Sequence, residues 1–327
     1  MISAVEVKNL RGIREGKLEG LTPLVVLVGP NGCGKSTLLD ALLIGGSNSP
    51  AVAIGEVVSR HSTVGDATRW MFWKGIPSNF VEITIRDESD TRNYYLGVED
   101  NGNDKHTIWC DIGDGIKLTD KVGTVFLNSI AVGHHRDHAV DFRSLNARLI
   151  ETDAKSVPLT DLYSEIVERG RKKEVSALLS QVVLGYEDLV ILTEGNKPYL
   201  SVVLTDHSIP NEITGEGIQA LLRLSLELAS RPGGIVLLEE PEVHQHPGAL
   251  RQSAKAIWAA IRRGVQVVIS THSLEFIDTL LSEVQTQEEL DQMSVFRLLL
   301  KEGCLSSSRI AGSDIAFSRT EIGDDLR

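Results

Sequence analysis

Apolar residues run without interruption from Leu24 to Val28 and from Ile235 to Leu238, and from Val265 to Ile269 with a single break at Gln266. Runs of this length predict parallel strands buried on both faces. The first run passes through a glycine-rich turn into Leu38, Leu39, Leu42 and Leu43, whose spacing predicts a helix. Ahead of it, Val5-Glu-Val7 reads as a strand. Between about residues 60 and 130 the pattern alternates in Val81-Glu-Ile-Thr-Ile85, Tyr94-Tyr-Leu-Gly-Val98 and Thr107-Ile-Trp-Cys110, with Thr124-Val-Phe-Leu127 as a further strand. Polar turns at Asp90, Asn101-Gly102 and Asp114-Gly115 separate these runs, which predicts an antiparallel lobe. Residues 140–185 predict helices, with Leu159, Leu162, Ile166 and Val167 on one stripe and the charges Glu168 to Glu174 at its end. Ile218, Leu221, Leu222, Leu226 and Ala229 mark another helix in a last third that alternates helix and strand. The expected fold class is α/β, a single unit over residues 1–327. Residues 1–45 and 190–327 form a core on a mixed or parallel sheet, 60–130 the antiparallel β lobe and 140–185 the helical segment. No repeat, low-complexity tract or long heptad pattern is present.

Composition narrows the class. A chain of 327 residues with 42% hydrophobic content can bury a large core. The net charge of -12 argues against a protein that coats nucleic acid by bulk electrostatics, while leaving room for a local basic patch. No apolar run approaches the ~18 residues of a membrane span, and the first residues lack a charged-then-apolar leader. The expectation is a cytoplasmic protein with no membrane contact. Cys33, Cys110 and Cys304 are too few and too scattered for a disulfide framework or a zinc cluster.

The chemistry begins at Gly29-Pro-Asn-Gly-Cys-Gly-Lys-Ser-Thr37, which has Walker A spacing and follows the first buried run. Its backbone N–H groups and the positive end of the next helix converge on phosphate oxygens. The nucleotide-binding set is therefore Gly29, Pro30, Asn31, Gly32, Cys33, Gly34, Lys35, Ser36 and Thr37. Lys35 lies along the β and γ phosphates as a point charge, and the Ser36 hydroxyl is a Mg²⁺ ligand. Glycine at 29, 32 and 34 permits close approach or left-handed dihedrals. Cys33 is a small filler whose oxidation, if exposed, would block nucleotide entry.

The run ending at Ile235-Val-Leu-Leu-Glu-Glu240 places two acids at a strand terminus, as in a Walker B motif. Successive side chains there point to opposite faces, so the roles differ. Glu239 holds Mg²⁺ or one of its waters, and Glu240 is the general base that activates the attacking water. His272, in Ser270-Thr-His-Ser273 after the next strand, can reach a γ-phosphate. Thr214, in Ile213-Thr-Gly-Glu-Gly-Ile218, is typed for the N-cap region of the following helix. The first-turn N–H groups there offer a second anion site.

Together these motifs resemble the ATP-binding-cassette-type P-loop ATPases, within them the soluble AAA-like branch close to the OLD family. The matching segments are the phosphate loop, the signature-like Thr214-Gly-Glu-Gly217, the run Glu239-Glu-Pro-Glu-Val-His-Gln-His-Pro247 and Ser270-Thr-His-Ser273, with the closing Glu321-Ile-Gly-Asp-Asp-Leu-Arg327 also similar. The resemblance implies ATP and Mg²⁺ as cofactors and a head-to-tail homodimer formed on ATP binding. Thr214 and Gly215 of one chain would complete the site built on Lys35, Ser36, Glu239, Glu240 and His272 of the other. Glu216 departs from the glycine-rich form of the signature. Gly133-His-His-Arg-Asp-His138 falls where the family's glutamine loop lies, with Arg136 a phosphate or partner contact. His134, His135 and His138 read as a solvated loop in preference to a metal site, and Glu242, His244 and His246 as a dimer-facing turn.

The expected function is Mg²⁺-dependent ATP hydrolysis that drives dimerisation and action on a partner, in DNA repair or anti-phage defence. A separate effector such as a nuclease fits a head with no evident tool of its own. Two other readings stand beside it: an ATP-binding switch with slow turnover, and a P-loop small-molecule kinase. No Asn/Thr-Lys-x-Asp run is present to read guanine, since Asn196-Lys197 is followed by Pro198-Tyr199.

Overall fold

The computed structural model describes residues 1–60, 68–76, 79–88, 90–100, 106–112, 121–126, 147–151, 157–231, 233–243, 245–319 and 325. The chain opens with β1 (Ile2–Leu10), β2 (Ile13–Glu19) and β3 (Leu24–Val28), followed by α1 (Lys35–Gly46) and α2 (Pro50–Ser59). Two short 3-10 turns precede β4 (Val81–Asp87), β5 (Thr91–Asp100), β6 (His106–Ile112) and β7 (Lys121–Phe126), which pair antiparallel as the alternating pattern predicts. Next come β8 (Arg148–Glu151), α3 (Leu159–Glu168), α4 (Lys172–Leu179), β9 (Tyr186–Glu194), β10 (Lys197–Leu204) and β11 (Ser208–Pro210). The last third holds α5 (Glu216–Ser230), β12 (Ile235–Glu239), α6 (Pro247–Arg262), β13 (Gln266–Ser270) and α7 (Leu274–Ser282), then α8 (Gln287–Asp291), β14 (Met293–Lys301), β15 (Cys304–Ala311) and α9 (Gly312–Phe317).

Among the described residues the main sheet has the order β7-β6-β5-β4-β1-β2-β15-β14-β3-β13-β12-β8. Its last five strands, β14 to β8, are mutually parallel, and the rest is largely antiparallel. The continuous apolar runs explain the parallel end. On β3, Val25 and Leu27 pack with Leu38 and Leu42 of α1, whereas Leu24, Val26 and Val28 pack on the opposite face with Trp258 of α6 and Phe276 of α7. A strand covered by helices on both faces has no polar face to show, so its period-2 pattern disappears.

Two segments depart from the sequence reading. Arg148–Glu151, inside the stretch expected to be helical, is a strand that pairs parallel with β12. Burial of Leu149 and Ile150 at the sheet edge, and not local propensity, decides its conformation. Residues 190–210, expected within the core, belong to a separate three-stranded sheet, β11-β10-β9. That sheet packs with α3, α4 and α5 around its own apolar cluster, which includes Leu162, Ile166, Leu200 and Leu221. Val167, placed on the apolar stripe of α3, is exposed, and Tyr163 takes the buried position instead. A buried charge cluster fastens this helical lobe to the main sheet. Glu227 of α5 meets Arg148 of β8 at 3.1 Å, with Arg231, just past the end of α5, at 3.7 Å and Arg223 of its own helix at 3.8 Å. Burial pushes the Glu227 carboxyl up, and the three guanidiniums oppose that shift.

Candidate nucleotide site

The loop between β3 and α1 has the backbone its glycines permit. Gly29 sits at φ 143°, where a Cβ would lie 2.5 Å from the Leu298 carbonyl oxygen of β14 and 2.9 Å from Cys33 Sγ. Gly34 sits at φ 97° and is the N-cap of α1. Pro30, Asn31 and Gly32 form the exposed rim, while Lys35 and Thr37 are buried. Lys35 Nζ donates to the Gly29 and Pro30 carbonyls at 2.9 and 3.3 Å, which holds the ammonium across the mouth of the loop. Cys33 is 2% exposed, so the filler reading agrees with its burial, and the oxidation route that required an exposed thiol does not apply.

The strand order brings Ser36 at the start of α1 against Glu239 at the end of β12, and the Ser36 hydroxyl donates to Glu239 Oε1. Two hard oxygen ligands therefore meet beside the phosphate loop, a donor set that suits Mg²⁺. Glu240, one residue past the end of β12, makes different contacts. Its side chain lies 3.5 Å from His272 Nε2, and its amide donates to the Ser270 carbonyl at 2.9 Å. Glu240 has φ 45°, a left-handed conformation that costs a non-glycine residue on the order of 1 kcal/mol or more and is sustained by that main-chain tie. Glu242 braces the same corner, accepting from Thr271 Oγ1 and, at 3.3 Å, from the His272 amide. Burial raises the Glu242 pKa above the usual carboxylate range, and its hydrogen bonds pull against that rise.

Three residues of this site carry no motif. Arg60, just past α2, pairs with Glu239 Oε2 and, at 2.6 Å, with Asp40 of α1. Arg11 pairs with the same Asp40. Asp40 is fully buried, and burial pushes its pKa up to about 6 against the pull of Arg11 and Arg60. A carboxyl raised from 3.8 in the unfolded chain to about 6 in the fold binds more protons when folded between those values. Stability therefore falls as pH rises through that window and levels off above it. The urea midpoint of the protein relative to Asp40→Asn is expected to drop from pH 4 to pH 6 and stay flat to pH 8. The opposite slope would mean that the guanidiniums outweigh burial.

The signature-like turn differs from its sequence reading. Thr214 does not cap α5; Gly215 is the N-cap, and Thr214 Oγ1 donates backward to the Asn211 carbonyl at 2.8 Å. A 3-10 turn at Asn211–Ile213 supplies that nearer acceptor. The turn sits on the helical lobe, where α5 packs against α3, α4 and α6. Glu242 and His246 do not converge: Glu242 faces Thr271, and His246 caps α6 by accepting from the Gly248 amide at 3.3 Å. Among the described residues no group of three or more His, Cys, Asp and Glu gathers to hold a metal. His134, His135, Arg136, His138, His244 and the 321–324 stretch lie outside the described residues. Among the described residues no helix is long and apolar enough to cross a membrane.

Comparison with known proteins gives the family and the fold. The chain is 24% identical over 324 residues to an OLD nuclease of Thermus scotoductus, a match that covers 85% of this chain and 60% of that protein. It is 22% identical over 342 residues to an ATP/GTP phosphatase of Helicobacter pylori, covering 91% and 92%. In fold it is similar to an Smc head bound to the C-terminal winged-helix domain of ScpA, with a TM-score of 0.57 at 13% identity over 95% of this chain and 98% of that one. An Smc head with an extended coiled coil, bound to the C-terminal domain of ScpA derived from Pyrococcus furiosus, gives 0.55 at 14% identity over 99% of both chains. The family model described as "AAA domain, putative AbiEii toxin, Type IV TA system" matches residues 24–278, from the strand before the phosphate loop to the helix after His272. The chain belongs to this AAA-domain family, and its α/β head has the fold of the Smc heads.

Proposed function

We propose that two copies of this chain bind ATP and Mg²⁺ head to tail and hydrolyse the nucleotide, using turnover to reset an assembly that acts on a partner. One observation carries this reading. Ser36 meets Glu239, and Glu240 meets His272, beside the phosphate loop, while the signature-like turn sits at the start of α5 in the helical lobe. Each chain thus has one site lacking its second anion-binding turn, and one such turn to offer. Lys35 binds the β and γ phosphates, and Ser36 and Glu239 hold the metal or its water. When bound, Mg²⁺ neutralises charge on the phosphates. Glu240 takes the proton of the attacking water, and His272, 3.5 Å away, orients Glu240 and contacts the γ-phosphate. Thr214 and Gly215 of the second copy close over that phosphate. Glu216, next to Gly215, is exposed at the start of α5, so its charge has room to stay in solvent.

The relative named a nuclease supports a nuclease effector for this head, and DNA repair or anti-phage defence in the cytoplasm is the setting proposed for the pair. Thr214→Arg tests the shared site. It places a long cation at the exposed turn, far in sequence from the loop that binds nucleotide. Turnover is expected to fall by at least about tenfold, the scale of losing a group that stabilises charge in the transition state. ATP binding, followed by calorimetry, is expected to stay nearly intact. Unchanged turnover would contradict a site shared between copies.

A further inference from the structure

Ser36 and Asp40 stand one turn apart on the same face of α1. Ser36 donates to Glu239 Oε1, and Arg60 joins Glu239 to Asp40. One terminal nitrogen of the guanidinium, Nη1, donates to Asp40 Oδ1 at 2.6 Å, and the other, Nη2, donates to Glu239 Oε2. Arg11 takes the second oxygen of Asp40. The side chain of Arg60 is 11% exposed and that of Glu239 21%, so this bridge lies in the protein and is not one of the solvated surface pairs that contribute almost nothing.

Both oxygens of Glu239 are therefore engaged, and the two bonds differ in what they leave for a metal. A serine hydroxyl keeps lone pairs to offer a cation while its proton stays on the carboxylate, so the Ser36 bond is compatible with Mg²⁺. A guanidinium has donors and no acceptor, and its charge repels a divalent ion in a partly buried site. Arg60 thus draws on the same negative charge that Glu239 would give to the metal. Asp40 provides the way out. If Nη2 leaves Glu239, Nη1 can remain on Asp40, and the guanidinium is not stranded as an unpaired buried charge.

We propose that Arg60 competes with Mg²⁺ for Glu239, yielding Oε2 when the metal is loaded and staying on Asp40, so that this arginine sets how strongly Mg²⁺ and nucleotide bind together. Arg60 is then a positioning residue acting through Glu239. The inference rests on the reading of Ser36 and Glu239 as the metal ligands, and it stands whether or not the head-to-tail assembly forms. It gives Asp40, a carboxylate fully buried in an apolar helix, a role beyond packing: it is the resting place that makes release of Glu239 affordable.

Calorimetric titration of the full chain with AMP-PNP, an ATP analogue that is not hydrolysed, tests this without turnover. Titrations in Mg²⁺ and in EDTA give the factor by which the metal tightens nucleotide binding. Arg60→Gln is expected to raise that factor at least about fivefold, with affinity in Mg²⁺ no weaker than in the parent, because the competing cation is gone. Arg60→Met keeps the packing of the stem and should give the same result, which covers a glutamine variant that does not fold. Asp40→Asn should lower the factor, since a displaced Arg60 then has no acid to stay on. A purely structural role would move the Arg60 and Asp40 variants in the same direction. The proposal is overturned if the factor rises less than about fivefold in the Arg60 variants, if their affinity in Mg²⁺ weakens more than about twofold, as loss of a phosphate contact would cause, or if Asp40→Asn does not lower the factor. A parent whose AMP-PNP affinity is the same in Mg²⁺ and EDTA would remove the metal site itself, whereas a parent factor that the Arg60 variants leave unchanged removes only the role of Arg60.

Discussion

Glu240→Gln is expected to lower the turnover number by about 10²- to 10⁴-fold, the usual loss on removing a general base, while leaving ATP affinity unchanged. The amide has the shape of the carboxylate but cannot take a proton. The fold supplies the reason for placing the base here. The Glu240 amide is tied to the Ser270 carbonyl, its φ is left-handed, and its carboxylate lies 3.5 Å from His272. Glu239→Gln serves as the contrast. Glu239 already accepts from Ser36 and Arg60, so its loss should raise the Mg²⁺ concentration needed for half-maximal activity. Steady-state phosphate release as a function of Mg²⁺, with calorimetry for ATP, separates the two. If Glu240→Gln shifts the metal response and Glu239→Gln removes only turnover, the roles are reversed.

Lys35→Ala is expected to weaken ATP binding by about one to two orders of magnitude. Charged hydrogen bonds contribute about 1.5–3 kcal/mol each, and 1.4 kcal/mol is tenfold in affinity. Lys35 is the only side-chain cation within Gly29 to Thr37, and the ammonium is held at the loop by two of the loop's own carbonyls. Those contacts are lost in the alanine variant, so circular dichroism should accompany the titration to show that the head remains folded. Affinity within about twofold of the parent, by calorimetry at equal Mg²⁺, would remove Lys35 from the phosphate site.

The nucleotide half of the head is legible in the sequence because its signals are local. A buried strand, a turn requiring left-handed glycines and an apolar helix follow one another within residues 24–46, and each restricts the next. The two acids make different contacts, Glu239 with Ser36 and Glu240 with His272. Arg60 and Arg11 were not legible. Their partners are 20 to 179 residues away in the chain, and an arginine after a helix looks like any solvated one. Asp40 did leave a signal, as a carboxylate within Leu38-Leu-Asp-Ala-Leu-Leu43 of an otherwise apolar helix, where a buried charge demands a cation. β8 is only four residues long and owes its conformation to β12 beside it, so no window of its own sequence specifies it. The separate sheet of β9 to β11 escaped because alternating strands look alike whichever core they face. Thr214 was misplaced by one residue, since a threonine beside Gly215 can serve either the helix after it or the 3-10 turn before it.

The central claim is that ATP closes two of these heads on each other. ATP that touches both copies binds the pair better than the single chain, and that difference alone draws the equilibrium toward the dimer. Blocking hydrolysis should hold the closed state long enough to weigh it. The direct test is light scattering of Glu240→Gln with Mg-ATP at protein concentrations on the order of tens of micromolar. A species of twice the 35.7 kDa monomer mass that returns to monomer when nucleotide is removed is the result expected. A monomer mass with saturating Mg-ATP would contradict the shared site.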